Sequence, residues 1–191
     1  MQVGPHIGWS NAIPDAITTV NVSFGLSRLE FIGTGYHDKV NLRFCHLPWV
    51  DIPALQNWGD QPFIENVGRW LWGHGRLGPY SIVWFDLVHP NGTEYLSAYA
   101  TQNGTIVSSR CDGITVRSIT NSEFFLSENL RGYHIGLDLG NQGVLGVNVT
   151  NIFVTLQAGD IYTRSLGRLE GQLNEDSWRG VSLQDELNFV K

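Results

Sequence analysis

Apolar residues along the chain recur with a period of two rather than three or four. Short β-branched and aromatic runs are cut by Gly, Asn and Asp, and no window sustains the i, i+3, i+4 spacing of an amphipathic helix. The pattern predicts strands over 18–24, 28–35, 70–76, 80–88, 94–100, 105–110, 114–119, 132–139, 144–156 and 159–170. Two turns are marked by their chemistry. Pro90-Asn91-Gly92 and Gln102-Asn103-Gly104 each set Asn-Gly between strand-like runs, and both residue types tolerate the positive φ of tight hairpins. They make 80–110 a three-strand meander, the connection used by up-and-down barrels. Closure of such a sheet removes its exposed edges. The acidic stretch 170–185 reads as solvated, with Trp178 and Phe189 anchoring the last strand. The expected class is all-β, a barrel or strongly curved sheet.

Parity orders the tryptophan-rich stretch. In Arg69-Trp70-Leu71-Trp72-Gly73-His74-Gly75-Arg76, period two puts Trp70, Trp72, His74 and Arg76 on one face, opposite Leu71, Gly73 and Gly75. Two indoles, an imidazole and a guanidinium suit the wall of a cavity for a large, mostly apolar ligand with a polar end. The alternative is that the indoles fill the barrel, with His74 and Arg76 at its wet rim.

Composition narrows the function classes. The chain has 191 residues, 42% of them hydrophobic, which is enough for a sizeable core. Its net charge of −6 and the absence of Lys/Arg runs exclude a nucleic-acid footprint and an anionic membrane surface as partners. No stretch reaches the roughly 20 apolar residues of a membrane span. Two cysteines are too few for a disulfide framework or a structural zinc site, and Cys111 reads as a small buried hydrophobe. His6, His37, His74, His89 and His134 lack ligand spacing.

The densest cluster is Gly33-Thr34-Gly35-Tyr36-His37-Asp38-Lys39, followed by Asn57-Trp58-Gly59-Asp60-Gln61-Pro62-Phe63. With 73–80 (GHGRLGPY), Ile161-Tyr162-Thr163-Arg164 and the opening Gly4-Pro5-His6-Ile7-Gly8-Trp9, it resembles the fungal Diels–Alderase (decalin-forming pericyclase) family. That family lies within the AttH-like and carotenoid 1,2-hydratase group, whose chains carry two lipocalin-like β domains. The resemblance implies an all-β, lipocalin-like antiparallel β-barrel with remnant strands of a preceding β domain. It places the tail of an N-terminal domain and its junction at 1–60 and a C-terminal barrel at 61–191. It implies a small-molecule polyene substrate and no cofactor. The missing N-terminal domain, or self-association through the face it would cover, is the expected partner.

The family motif reads GYHDKNWGD without a break, whereas 17 residues, 40–56, interrupt it here. The segment has two prolines and no alternation. A whole number of codons keeps the frame, Val40 can supply a GT donor and Gln56 can be CAG, so a retained intron is the first reading. A surface loop, tolerated at modest entropic cost, is the other.

An intramolecular [4+2] cyclisation needs a site that folds a flexible polyene into one geometry, with a donor for charge that grows on a carbonyl. If 36–38 is extended, Tyr36 and Asp38 face the pocket and His37 faces away, bracing the junction. Tyr36 could donate to a substrate carbonyl and Asp38 could orient it, with Asn57 adding a hydrogen bond and Trp58 an apolar wall. Tyr36, Asp38 and Trp58 are the expected catalytic residues, and His37, Asn57, Trp70, Trp72, His74 and Tyr162 the expected substrate contacts. Tyr162 and Arg164 share a face at the barrel mouth. The bland alternative is that these residues lock two domains together. Four readings follow for the chain: a pericyclase, a hydratase needing a protonated Asp38, a lipocalin-like binder, and an inactive fragment.

Overall fold

A computed structural model describes residues 2–39, 60–119 and 132–189. The segment 40–56, with Asn57 and Trp58, lies outside the described residues. The N-terminal part carries β1 (Gln2–Gly4), β2 (Ile7–Gly8) and a long ribbon of β3 (Ser10–Phe24) and β4 (Ser27–Lys39). A single helical turn, Phe63–Asn66, leads into the barrel strands. These are β5 (Arg69–Leu77), β6 (Tyr80–Val88), β7 (Glu94–Gln102), β8 (Thr105–Arg110), β9 (Ile114–Ser118), β10 (Gly132–Asp138), β11 (Val144–Ala158), β12 (Tyr162–Leu173) and β13 (Asp176–Asn188).

The strands pair antiparallel in chain order, and the first, β5, pairs with the last, β13. The result is a nearly closed antiparallel barrel, as the alternation predicts, and a lipocalin-like one, as the resemblance implies. Its seam lies between β8 and β9. There the Ser108 hydroxyl donates to the Asp138 carbonyl at 3.1 Å and Arg110 pairs with the Asp138 carboxylate at 2.9 Å. The β7–β8 hairpin turns through Asn103 and Gly104, both at positive φ (51° and 81°), so the two-residue turn is of the mirror-image type that suits strand twist.

Two cores share one wall. The lumen is filled by Leu71, Ile82, Trp84, Tyr133, Val147, Leu169 and their neighbours. A second core lies outside the barrel, where Val3, Ile7 and Trp9 cover Trp70, Trp72, Val83, Phe85 and Leu87. Trp70 and Trp72 therefore do not fill the barrel. They belong to its outer surface, because the opposite face of β5 carries Gly73 and Gly75 and admits the large lumen side chains. A Cβ on Gly73 would lie 2.2 Å from the buried Trp84 ring, and one on Gly75 would lie 2.5 Å from Leu169.

Two further expectations are corrected. The stretch 170–185, read as acidic and solvated, holds the end of β12 and most of β13, the strand that closes the barrel. Its inward row is polar (Ser182, Gln184 and Glu186, all buried), and this hides the strand from a search for apolar alternation. Cys111 is exposed rather than buried, at the end of the short β8.

The lumen is polar at the end where β5 begins and β13 ends. Arg69 pairs with the buried Asp86 at 2.9 Å, and Tyr133 donates to the buried Glu186. Burial pushes Asp86 up to about 6 against the pull of Arg69, and Glu186 up to about 8. For Glu186 the folded-state value lies above the unfolded one, so between them the unfolded chain binds fewer protons. This stabilisation is full below the unfolded value near 4.5 and is lost as pH rises toward about 8. Denaturant unfolding should show stability falling by about 2 kcal/mol from about pH 6 to about pH 8. Glu186→Gln, which keeps the Tyr133 bond, should flatten that fall; an unchanged slope would contradict the assignment.

Candidate functional site

The site is built on the outer wall of the barrel beneath the β3–β4 ribbon. Register sets the side chains there in rows. Leu183 lies between Leu166 and His74, Asp185 between Arg164 and Trp72, and Leu187 between Tyr162 and Trp70. All project outward, because the alternate residues of β13 point into the lumen.

The ribbon is pinned over this wall at its base. Ser81 donates to the Pro14 carbonyl at 2.8 Å, and Arg76 pairs with Asp15 at 2.9 Å. Bulges between Ser10 and Ala16 bend β3 there. Gly35 lets the two ribbon strands close up, since a Cβ would lie 2.0 Å from the Thr18 hydroxyl. Beyond the pinned base, apolar residues of the ribbon stand in solvent, with Ile17 at 81% and Ile32 at 73% exposure.

Between ribbon and wall lies a cleft of about 380 Å³, lined by Pro14, Thr34, His74, Leu166, Val181 and Leu183 among others. Its lining is predominantly apolar. At one side of the cleft, Tyr36 stacks on His74 with ring centres 4.3 Å apart and planes 17° apart. The same ring lies 5.5 Å from Trp72. The Tyr36 hydroxyl accepts from the Trp9 indole at 3.1 Å and donates to Asn11 at 2.8 Å. Burial holds that phenol well above its ordinary value, so it stays protonated. His74 is pushed down to about 4, chiefly by burial, so its ring is neutral at ordinary pH.

Asp38 follows Tyr36 on the same face of β4. It is half-buried, and burial raises its carboxyl above the ordinary range, with the charge of Asp185 adding to the rise. Asp185 is held in place from its far side. Arg164 grips it with Nε and Nη2, both at 2.7 Å, and the Tyr162 hydroxyl donates to it at 3.1 Å. The Arg164 guanidinium packs 5.9 Å from the Tyr162 ring centre. Burial and the Asp185 charge push the Tyr162 phenol up to about 12.

The structure thus brings together Tyr36, Asp38, Trp72, His74 and Tyr162. Trp70 lies one row farther along, packed between Trp9 and Phe63 in the outer core. His37 points away from the wall and is exposed. The hydroxyl of Tyr36, read from the sequence as a donor to substrate, gives its proton to Asn11 instead. Asn57 and Trp58 cannot be placed, being outside the described residues. Asp185 was missed by the sequence reading. The signal for it was the outward row Val181, Leu183, Asp185, Leu187, an apolar row broken by one acid.

No protein-family model matches the chain. It is 32% identical over 192 residues to the quinolone epoxide rearrangement protein penF of Penicillium thymicola, covering 97% of this chain and 48% of that one. It is also 32% identical over 195 residues to the quinolone epoxide rearrangement protein asqO of Emericella nidulans, with 98% and 48% covered. The chain spans about half the length of these curated relatives. Among solved structures, CghA superposes with a TM-score of 0.72 at 16% identity over 99% of this chain and 56% of that one. Kievitone hydratase from Nectria haematococca superposes at 0.56 and 12% identity, with 97% and 56% covered. The fold is the lipocalin-like one of these proteins. The resemblance carried by GTGYHDK and NWGDQPF is matched by relatives named for rearrangement reactions in fungi.

Proposed function

We propose that the cleft between ribbon and barrel wall is the site of a cofactor-independent isomerase, which rearranges an uncharged, epoxide-bearing fungal secondary metabolite. The observation that carries this reading is the half-buried Asp38 carboxyl, its hold on a proton strengthened by burial, set on the same strand face as Tyr36, whose ring stacks on neutral His74 and packs beside Trp72. The relatives' names supply the substrate class as a proposal for this chain.

The chemistry follows from the residue types. Asp38 gives its proton to the epoxide oxygen as a general acid. The C–O bond then breaks and leaves positive charge on carbon. The faces of Trp72 and Tyr36 stabilise such charge through their ring quadrupoles. A histidine that is already neutral does not oppose it. A neighbouring bond migrates to the cationic carbon, and the new hydroxyl loses its proton as a carbonyl forms. That proton returns to the Asp38 carboxylate, so the product is an isomer and the site is reset. An apolar lining keeps out water that would trap the cation.

The apolar, shape-defined cleft favours one further reading. A polyene folded against Trp72 and Leu183 would undergo an intramolecular [4+2] cyclisation through positioning alone. The two readings separate by pH. Acid catalysis by Asp38 requires turnover that is full below the Asp38 pKa and falls about tenfold per unit above it. Cycloaddition requires a flat profile. The experiment is the pH dependence of turnover for an epoxide and for a polyene substrate on the full chain. A flat profile with the epoxide turned over would sink the acid mechanism.

A further inference from the structure

His74 is the polar group that the cleft leaves uncommitted. It projects outward from β5 and lines the cleft. Register sets it between Val83 of β6 and Leu183 of β13, so both flanking strands offer it only hydrocarbon. Tyr36 covers one face of the ring at 4.3 Å, and Trp72 lies 5.5 Å from it. Tyr36 is itself held by Trp9 and Asn11, which fixes the plane of the stack. Among the described residues, none hydrogen-bonds to either ring nitrogen of His74, and neither nitrogen is sealed from open space. The open space at the ring edge is the cleft.

The other polar side chains of the lining are spent on partners. Arg76 pairs with Asp15, Ser81 donates to the Pro14 carbonyl, and Ser182 donates to Gln184 on the lumen side. Thr34 is exposed on the ribbon, where solvent reaches its hydroxyl. A ligand that fills the cleft expels the water that otherwise serves His74. It must then supply a partner of its own or leave the imidazole bare, and a dry polar group without a partner is costly. Burial keeps the ring uncharged at ordinary pH, and the charges of Asp185 and Arg164 act on it in opposite senses. A neutral imidazole has one N–H donor and one acceptor nitrogen. A carboxylate can use only the donor and an ammonium only the acceptor, and each would carry its charge into an apolar cleft. A hydroxyl both donates and accepts, so it satisfies whichever nitrogen it meets.

We propose that His74 determines the specificity of the cleft by hydrogen-bonding a hydroxyl group of the ligand, so that uncharged apolar ligands with a hydroxyl are preferred to the same skeleton with a methyl group in its place. This rests on reading the ribbon–barrel cleft as the ligand site, and it deepens that reading by naming a group the cleft recognises.

The test measures binding rather than turnover, at neutral pH, with 4-phenylphenol and 4-methylbiphenyl, which differ only in OH for CH₃. The full chain, followed by tryptophan fluorescence, should bind the phenol about fivefold more tightly, the size of one neutral hydrogen bond. The ring-nitrogen NMR resonances of His74 should move on titration with the phenol and stay nearly in place with the methyl compound. His74→Phe keeps an aromatic ring against Tyr36 and removes both nitrogens. It should bring the ratio of affinities to about one while 4-methylbiphenyl binds as before. His74→Leu should give the same ratio, and either variant alone decides the matter. Equal binding of the two probes by the unaltered chain would overturn the role of His74 and leave the cleft standing. A preference that survives in the variants would overturn it too. Failure of both probes to bind would overturn the cleft and the selectivity together.

Discussion

Asp38→Asn should lower kcat for epoxide rearrangement by roughly 10²–10⁴-fold, the range lost when a positioned general acid is removed. The substitution is nearly isosteric and keeps a donor, but an amide gives up its proton far less readily than a carboxylic acid. KM should change little, because the carboxyl and the nearly isosteric amide occupy the same half-buried place beside Tyr36. The residual rate should lose its dependence on pH, since no protonated carboxyl then limits it. The measurement is kcat against pH for both proteins. A variant with unchanged kcat, or one with a preserved acid-side rise, would remove Asp38 from the reaction.

The largest structural effect is expected at Gly73. The Trp84 ring, fully buried in the lumen, occupies the space a side chain at Gly73 would need; a Cβ would meet three ring atoms at 2.2, 2.5 and 2.8 Å. The ring cannot withdraw, because β6 is buried on both faces through Leu87. Gly73→Ala should therefore cost about 2–3 kcal/mol, near the top of the usual cost of overpacking. For a chain of this size that lowers the unfolding midpoint by about 5–10 °C. Trp84→Phe removes the second ring, and Gly73→Ala made in that background should cost less than about 1 kcal/mol. If the two substitutions simply add, the glycine does not make room for the indole. Gly73 stands behind Trp72 and His74, so the lumen packing and the outer site are set by the same strand.

That strand also shows how far the sequence reading reaches. Parity alone separated Trp70, Trp72, His74 and Arg76 from Leu71, Gly73 and Gly75, and put Tyr36 and Asp38 on one side of β4 with His37 on the other. Period-two geometry holds whatever the chain packs against. Which face was the lumen could not be read, because β5 and β6 are buried on both sides and the usual polar face is missing. The Asn103-Gly104 turn was legible because its φ values leave few other residue types. The opposite case is β13. Its lumen-facing Ser182, Gln184 and Glu186 look solvated in the sequence, and so a last strand anchored by Trp178 and Phe189 was legible but not its span, its inward row or the outward Asp185. The hydrogen bonds that tie Tyr36 to Trp9 and Asn11 span 25 and more residues, a pairing that no local pattern encodes.

The central claim is that ligand binds against the outer wall and not inside the barrel. Two indoles on opposite sides of that wall report on it directly: Trp72 faces the ribbon, and Trp84 lies in the lumen. The deciding measurement is the indole N–H resonances of the full chain, assigned with Trp72→Phe and Trp84→Phe variants and followed on titration with benzanilide, an uncharged aromatic probe. The account predicts that the Trp72 resonance moves in step with saturation while that of Trp84 stays in place. A ligand-dependent shift of Trp84 with Trp72 unmoved would place the ligand in the lumen and contradict the account.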